Sequence, residues 1–390
     1  MRPIRQTVVP LLIPERSSWA LEARLLGWLT LLWVAIGAVV LFSASYPTEE
    51  LSAIRQQLVA IALGGLGFGI ALQWPLCRWL RLAPWAVLLL LLLLFVLLLP
   101  GLGREVGGAS RWLGPLQPSE AIKPFLVLQG ACLFGRWQRL RAGVRMGWLA
   151  VFVGALVAIL AQPDLSTAAL CGLVLWSLAL VAGLPARFLG GAALASAAVA
   201  LVSLWRNPYQ QERMLGFLQP WQQPQGDNYQ LVQSLLAVGS GGTWGTGLGL
   251  SQQKLSYLPI QSTDFIFAVF AEECGLAGTL LLLLLLLSYA GLGLHVAAKA
   301  RSPVVALVAV GATLFLVGQA LINMGVALGV LPTTGLPFPF VSHGSNAMVA
   351  SLVLAGLLVR AAREGSEAHV VPLARSRRSS GAASLSERGH

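Results

Sequence analysis

The chain has 390 residues, of which 56% are apolar and 11% charged, and its formal net charge is +11. A soluble domain needs roughly a quarter of charged residues to cover its surface, so this composition excludes an ordinary water-soluble protein. The excess of positive charge is expected to reflect an unequal division of Lys and Arg between the two sides of a membrane. No nucleic-acid partner is predicted.

Apolar runs of about 20 residues, the length that crosses ~30 Å of hydrocarbon, recur along the chain. They predict an all-α polytopic membrane protein with about ten transmembrane helices, at residues 24–44, 55–73, 83–100, 119–135, 146–161, 165–183, 187–205, 264–292, 303–330 and 344–362. The tight turn at Gln162-Pro163-Asp164 is the only separation between the fifth and sixth spans.

Three further segments complete the predicted organisation. Residues 205–263 form a large extracytoplasmic loop between the seventh and eighth spans. Residues 1–23 form a cytoplasmic N-terminal segment, and residues 363–390 form a disordered basic cytoplasmic tail. This orientation follows from the positive-inside rule, because most of the 26 Lys and Arg residues then fall on the cytoplasmic side.

Five acidic residues fall at membrane depth or at the outer rim. A carboxylate there costs a few kcal/mol on insertion scales, so each is a functional hypothesis: Glu120, Asp164, Asp264, Glu272 and Glu273. Glu120 and Lys123 are three residues apart on one helical face, which also fits a mutually neutralising pair. Asp264 opens the eighth span, where it could accept a proton or simply cap the helix.

Several cations lie in outer segments that otherwise avoid positive charge: Arg111, Lys123, Arg213 and Lys254. They indicate an anionic partner on that side, such as a lipid-linked pyrophosphate, although any single one could snorkel to the interface. The glycine run from Gly239 to Gly249 permits sharp bends and close approach to a ligand, or belongs to an interfacial loop. The sequence has no HExxH, GxSxG or P-loop motif, and no organic cofactor is predicted.

The order of several motifs carries a family resemblance. Ser119-Glu120 and Lys123 follow Gln117-Pro118, Gln162-Pro163-Asp164 comes next, and the long loop ends in Thr263-Asp264-Phe265-Ile266-Phe267. Asn323-Met324-Gly325 and Leu331-Pro332-Thr333-Thr334-Gly335 follow near the C-terminal end. Over about residues 25–362, the chain resembles the SEDS family (shape, elongation, division and sporulation), which includes FtsW and RodA and has a ten-span fold.

The resemblance implies a peptidoglycan glycosyltransferase that joins lipid II into β-1,4 glycan strands at the outer face of the bacterial plasma membrane. In the family, the aspartate of the Thr-Asp-Phe-Ile-Phe motif is regarded as essential for catalysis, and that residue is Asp264 here. Glu120, Lys123 and Asp164 fall on motif positions tied to function. We assign Asp264 as the general base, and Lys123, with Arg111, Arg213 or Lys254, as the cations that stabilise charge on the pyrophosphate.

The resemblance also implies partners and a place in the cell. A divalent cation, Mg²⁺ or Mn²⁺, would assist at the pyrophosphate, and a class B penicillin-binding transpeptidase and other divisome proteins would be partners. The sequence before Asp264 is more similar to the division branch of the family, which favours the division septum.

This chain departs from the family pattern at two places. Ile260 and Ser262 replace the Glu and His that commonly precede the Thr-Asp, and residues 341–346 lack the usual Gly-Gly-Ser-Ser run. The missing Glu and His keep a non-catalytic scaffold that recruits a transpeptidase as one alternative. A lipid II flippase or other transporter, a role once proposed for the family, is the other.

Overall fold

The structure, a computed structural model, describes residues 21–45, 52–99, 104–106, 109–222, 228–251 and 264–367. This part of the chain is almost entirely helical. Its α-helices are α1 Leu21–Ser45, α2 Ser52–Gln73, α3 Leu76–Val96, α4 Pro118–Gly135, α5 Ala142–Ala161, α6 Leu165–Val181, α7 Ala186–Arg206, α8 Pro208–Leu218, α9 Tyr229–Ser240, α10 Ile266–Lys299, α11 Pro303–Thr313, α12 Gln319–Ala327 and α13 Ser345–Glu367. A 3-10 turn, Trp137–Arg139, follows α4, and a π-helical turn, Leu314–Gly318, joins α11 to α12.

The protein is a polytopic membrane protein, as the composition predicts. Eight helices of the described part are long and apolar enough to cross a membrane: α1, α2, α3, α5, α7, α10, the continuous α11–α12 unit and α13. The other two predicted spans coincide with α4, of 18 residues, and with the shorter apolar helix α6, of 17. Each of the ten predicted spans therefore coincides with a helix. That all ten cross the membrane remains a prediction.

Several helix boundaries differ from the prediction, among them two that contact each other, the start of α3 and the end of α13. α3 begins at Leu76 instead of residue 83, and α13 continues to Glu367, beyond the predicted end at residue 362. The carboxylate of Glu364 accepts a hydrogen bond from the Leu76 backbone N–H (2.7 Å) and pairs with Arg360 (2.9 Å). The Glu364 carboxylate thus satisfies a backbone N–H at the start of α3, a contact that the lengths of apolar runs cannot predict.

The predicted 205–263 loop contains two helices in its described part. α8 begins at Pro208, a residue favoured at the first helical position, and α9 buries Leu231, Val232 and Ala237. The Ser234 hydroxyl donates to the Ala327 carbonyl at the end of α12 (2.8 Å). The segment is therefore packed onto the helix bundle.

A two-stranded antiparallel hairpin, β1 Arg104–Val106 and β2 Ala109–Trp112, lies between α3 and α4. The sequence pattern predicts no strand there. The Asn346 side chain, at the start of α13, donates to the Pro115 carbonyl just after the hairpin (2.9 Å). This contact joins the segment that leads into α4 to the start of α13.

α10 is interrupted at Gly275, whose backbone is not helical (φ 64°, ψ −165°). A break in a membrane helix frees backbone groups that lipid cannot satisfy. The glycine-rich segment after α9 supplies the partners: Leu276 and Ala277 donate to the carbonyls of Gly242 (2.9 Å) and Thr243 (3.0 Å). In return, Thr246 N–H donates to the Glu272 carbonyl (2.9 Å).

Two glycines of the run predicted to approach a ligand, Gly241 and Gly245, lie close to the backbone of α10. A Cβ on Gly241 or Gly245 would overlap the carbonyl of Ala271 or Glu273, and Gly245 has φ +82°. Only glycine allows the two backbones to lie this close.

Candidate active site

The loop that joins α12 to α13, residues 328–344, gathers several of the predicted site residues. Aromatic packing fixes its second half: Phe340 meets Trp33 edge-on (5.0 Å between ring centroids) and Phe338 stacks on Phe267 (6.4 Å). A Cβ on Gly37 would overlap the Phe340 carbonyl, so α1 approaches the loop closely. The loop is thereby held against α1 and α10.

Asp264 lies immediately before α10 and is half-buried. The N-cap position of α10 is Phe265, which makes no side-chain capping hydrogen bond; Asp264 lies one residue before it, and a capping role for its carboxylate remains a prediction. Its Oδ2 atom lies 3.7 Å from the position that a Cβ on Gly335 would occupy. Gly335 has φ +71°, a conformation that favours glycine, and its missing side chain leaves space beside the carboxylate.

Glu120 and Lys123 form a buried ion pair on α4. The Lys123 ammonium donates to Glu120 Oε1 (2.6 Å), and the two side chains are only 2% and 5% exposed. The pairing predicted from their spacing is therefore confirmed. Removing one partner of such a pair leaves an uncompensated buried charge, which costs about 3–5 kcal/mol.

Two amides of α12, absent from the residues that the sequence predicts for the site, link these charges to the loop. Gln319 Oε1 accepts from Lys123 Nζ (3.0 Å), and its Nε2 donates to the Pro337 carbonyl (2.7 Å). Asn323 Nδ2 donates to the backbone carbonyls of Asp264 and Leu336, each at 2.9 Å. The available signal was two amides four residues apart within an apolar span.

Arg111 and Asp164 are brought together away from this group of contacts. The Arg111 guanidinium donates to the carbonyls of Gln162 (3.1 Å) and Pro163 (2.8 Å) and lies 3.7 Å from Asp164 Oδ2. Asp164 also accepts from Thr167 N–H (3.1 Å) and so caps α6. These contacts bind the β-hairpin to the α5–α6 turn, and a direct contact of either residue with substrate remains a prediction.

Arg213 brings a cation from α8 to the same loop. Its Nη1 donates to the Thr333 carbonyl (3.3 Å), two residues before Gly335. Lys254 lies outside the described residues, as do Ile260 and Ser262, so their predicted contributions remain predictions.

Glu272 and Glu273, the remaining predicted acids, are buried beside the α10 break. Glu273 accepts from the Ser43 hydroxyl through both oxygens (2.6 and 2.8 Å), and Glu272 accepts from Ser251. Their carboxylates thus join α1 and the glycine-rich segment to α10.

The described residues contain no group of three or more His, Cys, Asp or Glu that could hold a metal ion. A protein-built cage of carboxylates or imidazoles is therefore not found in this part of the chain. Mg²⁺ commonly takes one or two carboxylates and completes its shell with water and substrate phosphates, and Asp264 offers one such oxygen donor.

Taken together, the fold and site define a multi-pass helical membrane protein in which a half-buried carboxylate and a buried ammonium are tied to one loop. The chain belongs to the family of cell cycle proteins represented by FtsW, RodA and SpoVE, whose family model matches residues 23–367.

Named relatives agree with this membership. A probable peptidoglycan glycosyltransferase FtsW of Synechocystis is 51% identical over 376 residues, which cover 94% of this chain and 95% of the relative. A putative peptidoglycan glycosyltransferase FtsW of Mesostigma viride is 44% identical over 91% of this chain and 88% of its own.

Solved structures show the same fold. A chain of a peptidoglycan synthase complex, described as coordinating polymerization and crosslinking, superposes with a TM-score of 0.71 at 29% identity and covers 87% of this chain and 97% of its own. The rod shape determining protein RodA of Thermus thermophilus gives a TM-score of 0.64 at 29% identity, covering 87% and 96%.

Proposed function

We propose that this protein is a peptidoglycan glycosyltransferase that polymerises lipid II into β-1,4-linked glycan at the outer face of the plasma membrane. The observation that carries the proposal is the position of the Asp264 carboxylate beside Gly335, on a loop hydrogen-bonded to the partner of Lys123. The 51% identity to a relative named as such an enzyme supports it.

Asp264 acts as the general base. It takes the proton from the 4-hydroxyl of the acceptor sugar as that oxygen forms a bond to the anomeric carbon of the donor. The bond from that carbon to the pyrophosphate oxygen breaks, and its electron pair leaves with the lipid pyrophosphate. Attack opposite the leaving group inverts the anomeric centre, so an α-linked donor gives a β-linked product.

Positive charge stabilises the departing pyrophosphate. Arg213 contacts the site loop directly, whereas Lys123 is 2% exposed and paired with Glu120, so it acts through the field of that pair. Fixed charges in a water-poor site stabilise developing charge more strongly than the same charges in water. Lys254, Arg111 and the Asp164 and Glu120 carboxylates complete the proposed set of substrate-binding residues.

A divalent cation, Mg²⁺ or Mn²⁺, is proposed as an assistant at the pyrophosphate. It would neutralise charge on the phosphate oxygens, and no protein ligand is assigned to it because Asp264 serves as the base.

The proposed cellular setting follows from the family. Both termini are cytoplasmic, the protein lies at the division septum, and it works with a class B penicillin-binding transpeptidase and other divisome proteins. The similarity to a chain of a peptidoglycan synthase complex supports a transpeptidase partner.

The direct experiment supplies purified full-length protein with lipid II, alone and together with its transpeptidase, and separates the glycan products by length. Glycan strands are the expected result. Lipid II that crosses liposomes without polymerisation would replace the proposal with the flippase alternative. Glycan strands that form equally well with the transpeptidase alone would replace the proposal with the scaffold alternative.

A further inference from the structure

Gln319 and Asn323 occupy one face of α12, because residues four apart in a helix are neighbours. Both side chains are buried. α12 follows directly on the π-helical turn Leu314–Gly318, a feature that is rare in proteins and often found at functional sites. An α-helix that simply crosses lipid needs neither the buried amides nor the widened turn.

Gln319 uses both ends of its amide in different directions. Its oxygen accepts from the Lys123 ammonium, whose other partner is Glu120, and its nitrogen donates to the Pro337 carbonyl. An amide has one accepting and one donating end, so the side chain joins the α4 ion pair to the site loop.

Asn323 joins the same loop to the base. Both of its contacts are to backbone carbonyls, those of Asp264 and Leu336, and a carbonyl can only accept. The NH₂ group must therefore face them, and the amide orientation is fixed by chemistry. The two loop carbonyls held by α12 belong to consecutive residues, Leu336 and Pro337, next to Gly335.

Asn323 Oδ1 is buried and has no hydrogen-bond partner among the residues that the structure describes. A small apolar residue at this position would avoid that unpaired oxygen but would make neither carbonyl contact. The amide thus makes two carbonyl contacts at the cost of one unsatisfied oxygen, a cost that packing alone does not require.

We propose that Gln319 and Asn323 are positioning residues: an amide clasp that sets the place of Asp264 relative to Lys123 by binding both to the Leu336–Pro337 backbone. The inference rests on the proposed function, because Asp264 is the base and Lys123 a source of positive potential in that reaction. A displacement of about 1 Å in a reacting group can lower a rate by about 10²-fold.

The test compares four full-length variants with the wild type: Asn323→Ala, Gln319→Ala, their combination, and the control Ser234→Ala. Ser234 is also fully buried and donates to the Ala327 carbonyl at the end of α12, but among the described residues its hydroxyl hydrogen-bonds neither to the loop nor to Asp264. The measurements are kcat and KM for lipid II polymerisation, the pH profile of kcat, the melting temperature, and hydrogen exchange of segments 264–270 and 329–343.

We expect Asn323→Ala to lower kcat by about 10- to 100-fold with KM within about twofold of wild type. The acidic limb of the pH profile of kcat should shift, because the surroundings of the base change. Hydrogen exchange in both segments should become faster. Ser234→Ala should retain the wild-type kcat and the wild-type acidic limb of the pH profile. The double variant should lose less than the product of the single losses, because both amides hold one piece of backbone.

Activity of Asn323→Ala within twofold of wild type would overturn the clasp. The clasp would also be overturned if Asn323→Ala lost activity together with a large fall in melting temperature while the acidic limb of its pH profile stayed in place. A merely structural contact would give that result. If the wild type itself makes no glycan, the proposed function fails, and unchanged exchange at 264–270 in Asn323→Ala then also rejects the clasp.

Discussion

The Glu120–Lys123 pair places two charges in the interior of the helix bundle. Their side chains are almost fully buried, and Lys123 donates to Gln319 as well as to Glu120. In such surroundings the pair is stabilised by its own geometry, whereas a lone charge has no compensation.

Substitution of one partner should therefore be worse than substitution of both. Lys123→Met and Glu120→Gln are each expected to destabilise the fold, Lys123→Met by about 3–5 kcal/mol because it leaves the Glu120 carboxylate buried alone. The double variant should recover part of the loss, and melting in detergent measures all three. A double variant whose melting temperature falls by the sum of the single effects would show that the two charges are not coupled.

Sequence reasoning at this scale succeeded where the partner lies nearby in the chain. Spacing of three residues predicts the Glu120–Lys123 contact. It cannot predict that Lys123 also meets Gln319, 196 positions away, or that Asn323 contacts the backbone of Asp264. Those contacts arise from helix packing, for which a single sequence carries only the indirect sign of amides within an apolar run.

Among the elements, α10 and the glycine-rich segment before it form one unit. The break at Gly275 exposes backbone groups of α10, and residues 242–247 hydrogen-bond to them. These reciprocal hydrogen bonds require the two backbones to approach so closely that a Cβ atom between them would overlap a carbonyl.

Gly245→Ala should prevent this close approach and lower the free energy of unfolding. The positive φ alone costs about 1–2 kcal/mol for a residue with a Cβ, and overlap with the Glu273 carbonyl adds to it. The control is Gly239→Ala in α9, where an added Cβ meets nothing within 4 Å and helix propensity predicts a gain of about 0.5–1 kcal/mol. Equal melting temperatures for the two variants would contradict this account of the break.

Glu364→Ala should loosen the junction between α13 and α3. The variant removes the acceptor of the Leu76 N–H and the partner of Arg360, so we expect a loss of about 1–2 kcal/mol. Ser196→Ala, which removes an exposed hydrogen bond within α7, is the control and should change stability by less than about 0.5 kcal/mol. Both are measured by melting in detergent, and a Glu364 variant as stable as the control would refute the capping role.

The elements themselves were largely predictable, since apolar length and composition mark membrane helices strongly. The β-hairpin, the helices α8 and α9 and the extended ends of α3 and α13 were not. Each depends on contacts between distant segments, such as Asn346 with Pro115 or Glu364 with Leu76, instead of on local periodicity.

For the whole molecule, the positive-inside rule predicts which ends of the helices face the cytoplasm. In a Cys77→Ser background, which removes the exposed native thiol, cysteines placed at Gln138 and Gln222 lie at exposed positions. A membrane-impermeant maleimide should label Gln222→Cys in cells whose outer envelope is permeabilised, and Gln138→Cys only after the plasma membrane is opened. The reverse labelling would invert the proposed topology and remove Asp264 from the side on which lipid II is polymerised.

The central claim is that the Asp264 carboxylate accepts the proton of the attacking sugar. Initial rates of glycan formation from lipid II should be compared for wild type, Asp264→Asn and Asp264→Ala, each purified with the transpeptidase and matched for melting temperature. We expect both variants to lose at least about 10²-fold in kcat, since neither side chain can act as a base near neutral pH. A correctly folded Asp264→Ala variant that polymerises lipid II at the wild-type rate would contradict the account.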